Sequence, residues 1–169
     1  MASRLVSDLV PAVARAAMAH IDLCRYDGIE IIDYCTYRSE KEQARLYEIG
    51  RTEPGRIVTY ARPGKSFHQY RVARDIVPLV NGKAIWDDDV LWERVGRLGE
   101  AVGFEWSGRW ERFRERPHFQ ITAGLRIDEI SEMTSAQVEN VIERWYKNHE
   151  LLKTVELAEA RLIGEKEII

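Results

Sequence analysis

Two histidines and one aspartate are the residues of this sequence best suited to hold a metal ion. His68 and Asp75 lie seven positions apart, and His118 follows after a gap the length of a helix plus a strand. Two imidazoles and one carboxylate suit a catalytic zinc, which takes three protein ligands and leaves its fourth position to water. The spacing alone is also compatible with packed or surface histidines, so at this point both interpretations stay open.

Glu115 adds a group that a hydrolytic metal site requires. It lies three residues before His118, and Pro117 between them restricts the backbone. A carboxylate beside the metal that is not a ligand can take a proton from the attacking water and return it to the leaving amine. The alternative is a solvent-exposed ion pair between Glu115 and one of the nearby arginines, which are Arg109, Arg112, Arg114 and Arg116.

Four motifs follow one another between residues 29 and 122. They are Tyr37-Arg38-Ser39 with Glu42-Gln43-x-x-Leu46-Tyr47, Ser66-x-His68 with Ala73-x-Asp75, Gly103-x-x-Trp106-x-Gly108-x-Trp110, and Glu115-x-x-His118. With these motifs the chain resembles the zinc peptidases of the D-alanyl-D-alanine carboxypeptidase and hedgehog-like type. That family includes L,D-endopeptidases of phage lysins as well as bacterial D,D-carboxypeptidases and D,D-dipeptidases.

The resemblance implies a role for each matching residue. Three residues would hold Zn²⁺: His68, Asp75 and His118. Glu115 would act as general base and then as general acid, and Arg38 would stabilise the negative charge that grows on the scissile carbonyl. Ser66 would contact the backbone or a carboxylate of the substrate, and Gln43 would help to shape the pocket. Two alternatives stay open: Arg38 as a surface partner of Glu40 or Glu42, and Ser66 as a turn-forming hydroxyl.

Two arginines depart from the family pattern. Arg71 stands at the family's glycine, a residue that usually marks a positive φ or a close backbone approach. If the backbone there is left-handed, an arginine costs on the order of 1–2 kcal/mol, and it would add a charge near the metal. Arg74 stands where an apolar residue is common, on the strand face opposite Asp75. Either change could lower activity, but neither removes a ligand.

Periodicity and turn signals predict an α+β order of elements. Helices are predicted after Ser7-Asp8, after Ser39 and after Asp87–Asp89, strands at residues 29–36, 57–60, 72–77 and 118–122, and a hairpin turn at Asn81-Gly82. We therefore expect a small central antiparallel sheet with flanking helices. The resemblance implies the hedgehog and D-Ala-D-Ala zinc peptidase fold.

The chain is expected to have two parts. Residues 1–124 are predicted to form the zinc peptidase catalytic domain, and residues 125–169 a helical C-terminal extension packed on the same domain. The alternatives for the extension are that it binds a partner or pairs with its own copy. Thr134 can cap a long helix in the extension, with an apolar side made of Val138, Val141, Ile142, Trp145, Leu151 and Leu152. The extension carries ten acidic and six basic residues, a balance that does not favour an anionic membrane.

The overall composition argues against several classes of function. The 169 residues carry a net charge of −3 with a pI near 5.9, which gives no footprint for nucleic acid. No apolar run approaches the roughly 18 residues of a membrane span, and Asp8 and Arg15 interrupt the stretch where a signal peptide would need an apolar core. Cys24 and Cys35 are too few for a disulfide framework and are expected to be buried free thiols.

These features lead us to expect a zinc-dependent peptidoglycan hydrolase of the endolysin type that cuts the L-alanyl-D-glutamate bond of the stem peptide. Basic side chains outnumber acidic ones six to two in residues 51–75 and four to two in residues 109–116, which suits a carboxylate-bearing peptide. We expect a monomer made in the host cytoplasm without a signal peptide, acting in the periplasm after release. The alternatives are a D-alanyl-D-alanine carboxypeptidase of the same fold and a catalytically impaired module that binds the cell wall.

Overall fold

The computed structural model of the protein describes residues 2–149. The strands are β1 Glu30–Cys35, β2 Ala73–Val80, β3 Lys83–Ala84, β4 Glu105–Trp106 and β5 His118–Gln120. The helices are α1 Pro11–Tyr26, α2 Glu40–Glu48, α3 Asp89–Ala101, α4 Ile127–Ser131 and α5 Ser135–Asn148. The strands form one antiparallel sheet in the order β1-β2-β5-β4, with β3 paired to β2. The expected α+β fold with a small central antiparallel sheet is confirmed.

Strand β2 is the centre of both the sheet and the core. Its residues Ala73 to Val77 are buried, and the β-branched side chains of Ile76 and Val77 favour a strand. The strand pairs with β1 on one edge and with β5 on the other, and the register places Asp75 opposite both Cys35 and His118. Because directly opposed residues share one face of a sheet, this register alone gathers a carboxylate, a thiol and an imidazole.

The predicted helix caps are confirmed for three helices. The hydroxyl of Ser39 accepts from the Glu42 amide at 3.2 Å, and the Asp88 carboxylate accepts from the Leu91 amide at 2.9 Å. The hydroxyl of Thr134 accepts from the Gln137 amide at 3.3 Å. Each satisfies an amide that the first helical turn leaves without a backbone partner.

The prediction for the start of the first helix is wrong. Ser7 and Asp8 belong to a short 3₁₀ turn, Val6–Asp8, and helix α1 starts three residues after the end of that turn, at Pro11. Proline suits the first helical position, because that position needs no amide donor and its φ is already helical.

The strand predicted at residues 57–60 is also wrong, because the chain between α2 and the turn at Phe67–Tyr70 is a loop. Two Pro-Gly pairs bracket this segment, and Val58 and Tyr60 are exposed rather than alternating against a core. The hairpin turn at Asn81-Gly82 is confirmed, with φ of 53° and 71° at the two positions, as a type I′ turn requires.

A buried ion pair joins helix α1 to the back of the sheet. Arg74 is fully buried, and its Nε and Nη2 donate to the two carboxylate oxygens of Asp33 at 2.6 and 2.7 Å. Its Nη1 donates to the backbone oxygen of Ala17 in α1 at 3.0 Å. The charge therefore lies on the face of β2 opposite Asp75, fully paired, and the structure explains how an arginine replaces an apolar residue there.

The described part of the C-terminal extension packs into the same core. Ile130, Val138 and Ile142 are buried within it, and the Tyr146 hydroxyl donates to the backbone oxygen of Val102 at 2.8 Å. The Glu139 carboxylate accepts from the Ala12 amide at the start of α1, at 3.0 and 2.9 Å. The long helix expected after Thr134 is α5, preceded by the unpredicted α4; Leu151 and Leu152 lie outside the described residues.

We predict that Asp33→Ala destabilises the protein by about 3–5 kcal/mol, because it leaves a buried guanidinium without its counter-charge. The double variant Asp33→Leu with Arg74→Met should recover most of the loss, since it removes both charges together. Arg97→Ala, which removes the exposed pair with Glu93, is the control and should cost less than about 1 kcal/mol. Urea unfolding measures all three; a loss below about 1 kcal/mol for Asp33→Ala would contradict the assigned role of the pair.

We also predict that the protein loses stability in acid through His20. Its ring is fully buried, its Nε2 lies 2.9 Å from the Val95 backbone oxygen, and burial together with the charge of Arg74 lowers its pKa from 6.5 to about 3. His20 is thus protonated below pH 6.5 in the unfolded chain but only below about pH 3 in the folded chain. Between these values, each unit by which the pH falls lowers the unfolding free energy by up to about 1.4 kcal/mol. His20→Gln should flatten this part of the stability profile between pH 7 and 4, and an unchanged slope would refute the assignment.

Candidate active site

The structure brings together the three residues predicted as metal ligands. His68 Nε2 lies 3.2 Å and His118 Nδ1 lies 3.0 Å from the same oxygen, Oδ1, of Asp75. The two imidazole rings meet edge to face with centroids 5.1 Å apart. Ligand atoms around a tetrahedral zinc with bonds of about 2.0–2.1 Å stand about 3.3–3.4 Å from one another. The separations of His68 and His118 from Asp75 Oδ1 are close to that spacing, whereas the group whose potential ligand atoms all lie within 4.8 Å of one another is Cys35, His68 and Asp75.

Each ligand candidate comes from a different element. His68 lies in the 3₁₀ turn Phe67–Tyr70, where the Gln69 side-chain oxygen accepts from the amides of Gly64 and Ser66 at 3.0 and 3.3 Å. Asp75 lies in the middle of β2, and His118 opens β5. The β2–β5 register thus sets the relative positions of Asp75 and His118, and the folded turn before β2 sets the position of His68. Both are features of the backbone and do not depend on contacts among the three side chains.

The electrostatics of the cluster favour a cation. Burial raises the pKa of Asp75, but the two neighbouring histidines outweigh burial and hold it well below its usual range. Burial lowers the pKa of His118, yet the Asp75 carboxylate outweighs burial and raises it, whereas burial dominates at His68 and lowers its pKa. An ionised carboxylate with two imidazole nitrogens aimed at one of its oxygens is a donor set that fits Zn²⁺.

Cys35 is a neighbour that the sequence predicts only as a buried free thiol. Its Sγ lies 3.5 Å from His68 Nδ1 and 3.4 Å from Arg38 Nη2, and potential ligand atoms of Cys35, His68 and Asp75 all lie within 4.8 Å of one another. Burial raises the pKa of the thiol to about 11. Its sulfur contacts Nδ1 of His68, whereas Nε2 of the same ring faces Asp75, and the register of Cys35 with Asp75 is the signal that would have placed it.

Arg38 turns into the site rather than toward Glu40 or Glu42. Its Nη1 donates to the Gln43 side-chain oxygen at 3.0 Å, and its Nη2 lies 3.5 Å from Asp75 Oδ2. Gln43 is fully buried, and its amide nitrogen donates to Thr59 Oγ1 at 3.2 Å and to the backbone oxygen of Ala61 at 2.7 Å. Gln43 thus does not line the cleft but ties Arg38 to the loop that forms one cleft wall.

A cleft of about 850 Å³ opens over the cluster. Six of the predicted site residues line it: Arg38, Ser66, His68, Asp75, Glu115 and His118. Aromatic side chains line it as well, and Tyr60 and Phe113 from opposite loops meet with ring centroids 4.8 Å apart. The cleft therefore combines an apolar wall with a polar, charged floor, as ligand sites commonly do.

Glu115 lines this cleft and is exposed to solvent. Partial desolvation within the cleft raises the pKa of its carboxyl, and the charges of His118 and Arg38 offset part of that increase. Two of the arginines that were alternative partners are engaged elsewhere: Arg109 pairs with Glu93 and Glu100, and Arg116 with Asp89. Glu115 lines the cleft close enough to His118 and Asp75 for their charges to affect its pKa.

A buried hydroxyl that the sequence did not single out fixes the segment between Glu115 and His118. Ser107 Oγ contacts the backbone oxygen of Glu115 and donates to that of His118 at 2.9 Å. The indole Nε1 of Trp106 donates to the backbone oxygen of Arg116 at 2.7 Å. Both residues lie in the Gly-x-x-Trp-x-Gly-x-Trp motif, so that motif positions the Glu-x-x-His motif.

Arg71 adopts the left-handed conformation expected of the family's glycine, with φ 63° and ψ 28°. Its guanidinium lies 4.2 Å from the centroid of the Tyr37 ring, and Nη1 donates to the backbone oxygen of Asp8 at 2.7 Å. The expectation that Arg71 adds a charge near the metal is therefore wrong, because the side chain reaches the N-terminal segment instead. These contacts offset the backbone strain at this position.

Comparison with known proteins identifies relatives of this chain. Residues 60–121 match the D-alanyl-D-alanine carboxypeptidase family. The chain is 39% identical over 124 residues to the peptidoglycan L-alanyl-D-glutamate endopeptidase CwlK of Bacillus subtilis (strain 168), covering 68% of this chain and 74% of that protein. It is 29% identical over 119 residues to the L-alanyl-D-glutamate peptidase of Listeria phage A118, covering 68% of this chain and 38% of the phage protein.

Solved structures share the fold at lower identity. The L-Ala D-Glu endopeptidase ChiX of Serratia marcescens superposes with a TM-score of 0.54 at 20% identity, over 69% of this chain and 83% of that one. The E175A mutant of the D,D-pentapeptidase VanY from a VanB-type resistance cassette, in complex with Zn(II), gives 0.52 at 15% identity, over 81% of this chain and 83% of that one. With the Bacillus relative matched over most of its length, the chain belongs to the peptidase M15 family of zinc-dependent peptidases.

Proposed function

We propose that this protein is a zinc-dependent peptidoglycan endopeptidase that cuts the L-alanyl-D-glutamate bond of the stem peptide. The observation that carries the proposal is the convergence of His68 and His118 on one oxygen of Asp75 at the floor of the cleft. The bond is taken from the Bacillus relative, which is named for it and is 39% identical to this chain.

The positions of the side chains support the following roles. His68, Asp75 and His118 would hold the zinc, which when bound polarises the scissile carbonyl and lowers the pKa of water. Glu115 accepts a proton from the attacking water and then donates it to the leaving amine. Arg38, held by Gln43, donates to the carbonyl oxygen as negative charge develops there. Ser66 binds the substrate beside His68.

The charge around the cleft suits an acidic stem peptide. Lys65, Arg114 and Arg116 line the cleft together with Arg38. Lys65 pairs with Asp128 and Arg116 with Asp89, so two of these charges are already partly neutralised. Arg38 lies against Asp75 and has its role at the scissile carbonyl, so Arg114 is the side chain we propose for a carboxylate of the stem peptide.

The principal alternative is a D,D-carboxypeptidase of the same fold, which the structural likeness to VanY supports weakly at 15% identity. The second alternative is a module that binds the cell wall and has lost catalysis. Arg71 and Arg74 suggest it, because both depart from the family pattern. Arg71 contacts Tyr37, and Arg74 is paired with Asp33 behind the sheet. Neither displaces a side chain of the cleft, and a binder would need neither Glu115 nor Arg38.

We further propose a phage endolysin that acts on the host cell wall from within. The likeness to the peptidase of Listeria phage A118 supports this setting. Among the described residues, no helix is long and apolar enough to cross a membrane. A monomeric state, synthesis in the host cytoplasm followed by action in the periplasm, and a boundary near residue 124 between catalytic domain and extension remain predictions.

Mass spectrometry of muropeptides after digestion of purified peptidoglycan tests the proposed bond. A new N-terminal D-glutamate is expected, together with glycan strands that keep only L-alanine. Release of free D-alanine would instead establish the carboxypeptidase. If the wild type releases neither product while it binds both zinc and sacculi, the binding module is the correct function.

We predict that Glu115→Gln lowers kcat by about 10²–10⁴-fold with little change in zinc content, because it removes the proton acceptor and not a ligand. The pKa of Glu115 lies above the usual 4.5. As the pH is lowered, kcat/KM of the wild type should therefore begin to fall at a higher pH than an ordinary glutamate would cause. Arg112→Gln, an exposed change in the same loop, is the control. An equal loss of activity in both variants would contradict the role of Glu115.

We predict that a chelator abolishes activity and that Zn²⁺ restores it. His118→Ala and Asp75→Ala should each lower zinc binding by at least about 10-fold, because each removes one of three protein ligands. His149→Ala removes an imidazole that, among residues 2–149, contacts Trp145 in α5, and this variant should keep full zinc occupancy. Metal analysis of the purified proteins distinguishes these results, and unchanged zinc in Asp75→Ala would rule out the proposed site.

A further inference from the structure

We propose that Glu105 is a positioning residue that fixes the proton arrangement of His118 through the side chain of Gln120. The inference rests on the proposed function, because it assigns His118 as a zinc ligand. Neither Glu105 nor Gln120 is a defined position of the four motifs. Glu105 lies on strand β4, directly opposite Gln120 on β5 in the sheet register.

The first step is the orientation of the Gln120 amide. Gln120 is buried, and its Nε2 lies 3.0 Å from Glu105 Oε2. A carboxylate can only accept hydrogen bonds, so the amide nitrogen must face Glu105. The amide oxygen of Gln120 consequently faces the other way, toward the ring of His118.

The second step is the tautomer of His118. Its Nε2 lies 3.0 Å from Gln120 Oε1, and an amide oxygen can only accept, so Nε2 must carry the hydrogen. A neutral imidazole has a single N–H, which leaves a lone pair at Nδ1. In the neutral imidazole that a metal requires, that lone pair points toward Asp75 Oδ1 at 3.0 Å, on the side where the zinc would lie.

The third step is what holds Glu105 itself. The indole Nε1 of Trp110 donates to Glu105 Oε1 at 2.7 Å, and the Trp110 ring lies 5.9 Å from that of His118. The chain of contacts is therefore closed: Trp110 orients Glu105, Glu105 orients Gln120, and Gln120 orients His118. An anion at the end of such a chain also makes the metal-facing nitrogen a better donor.

The arrangement predicts that replacing the acceptor at position 105 by a donor reverses the direction of each hydrogen bond from residue 105 through Gln120 to His118. In Glu105→Lys the ammonium can only donate, so the Gln120 oxygen turns toward it and the amide nitrogen turns toward His118. Nε2 of His118 must then accept, and the hydrogen moves to Nδ1, where it blocks the metal. We expect zinc binding to weaken by about 10–100-fold, the range typical of lost outer contacts to metal ligands.

A second substitution should reverse the effect. In Glu105→Lys with Gln120→Glu, the lysine donates to the new carboxylate, which again accepts from His118 Nε2. Zinc binding should return to within about 3-fold of the wild type, since the tautomer is restored. Glu100→Lys places the same charge change on helix α3, at a carboxylate that pairs with Arg109, and controls for long-range electrostatics.

The experiment measures zinc dissociation constants of the full chain by competition with a chromophoric chelator, and ring ¹⁵N shifts of His118 by NMR. The wild type should show hydrogen on Nε2, and Glu105→Lys alone should lose both that signature and zinc affinity. Equal affinity in wild type and Glu105→Lys, or equal losses in Glu105→Lys and Glu100→Lys, would overturn the inference while leaving the zinc site intact. If His118→Ala binds zinc as tightly as the wild type, the proposed site itself fails instead.

Discussion

The structure depends on one buried carboxylate that needs a cation. Asp75 lies in the most buried strand of the sheet, and both neighbouring imidazoles aim a nitrogen at the same oxygen. An ionised carboxylate in such a position is stable only when opposite charge compensates it. The strand order β1-β2-β5 supplies the neighbours that make compensation by a metal possible, so fold and site share a single register.

Each face of β2 carries a buried charged side chain, and the two charges are compensated in different ways. On one face Arg74 and Asp33 form a closed pair within the protein, fastened to helix α1. On the other face Asp75 lines the cleft with side chains that can exchange their contacts within the protein for contacts with an ion and a substrate. Alternation along the strand keeps the guanidinium of Arg74 away from the cleft, which is why an arginine in this strand is compatible with a metal site.

Much of the site could be predicted from the sequence, because its motifs are local. Ser66 to Asp75 and Glu115 to His118 are short segments whose internal spacing carries the chemistry, and the helix caps at Ser39 and Asp88 are likewise local. Contacts between segments distant in the sequence could not be predicted. Two examples are the contact of Cys35 with His68 and that of Glu105 with Gln120. Strand β4 has only two residues, too few for a period-two pattern, so nothing in the sequence predicted the pairing on which the Glu105 contact depends.

The most direct measurement is a crystal structure of the zinc-loaded protein with anomalous scattering collected at the zinc edge. The account predicts one strong peak in the cleft, about 2.0–2.1 Å from His68 Nε2, Asp75 Oδ1 and His118 Nδ1, with the Glu115 carboxylate beside the remaining position. A peak that omits His118, or that includes the sulfur of Cys35 as a ligand, would contradict it.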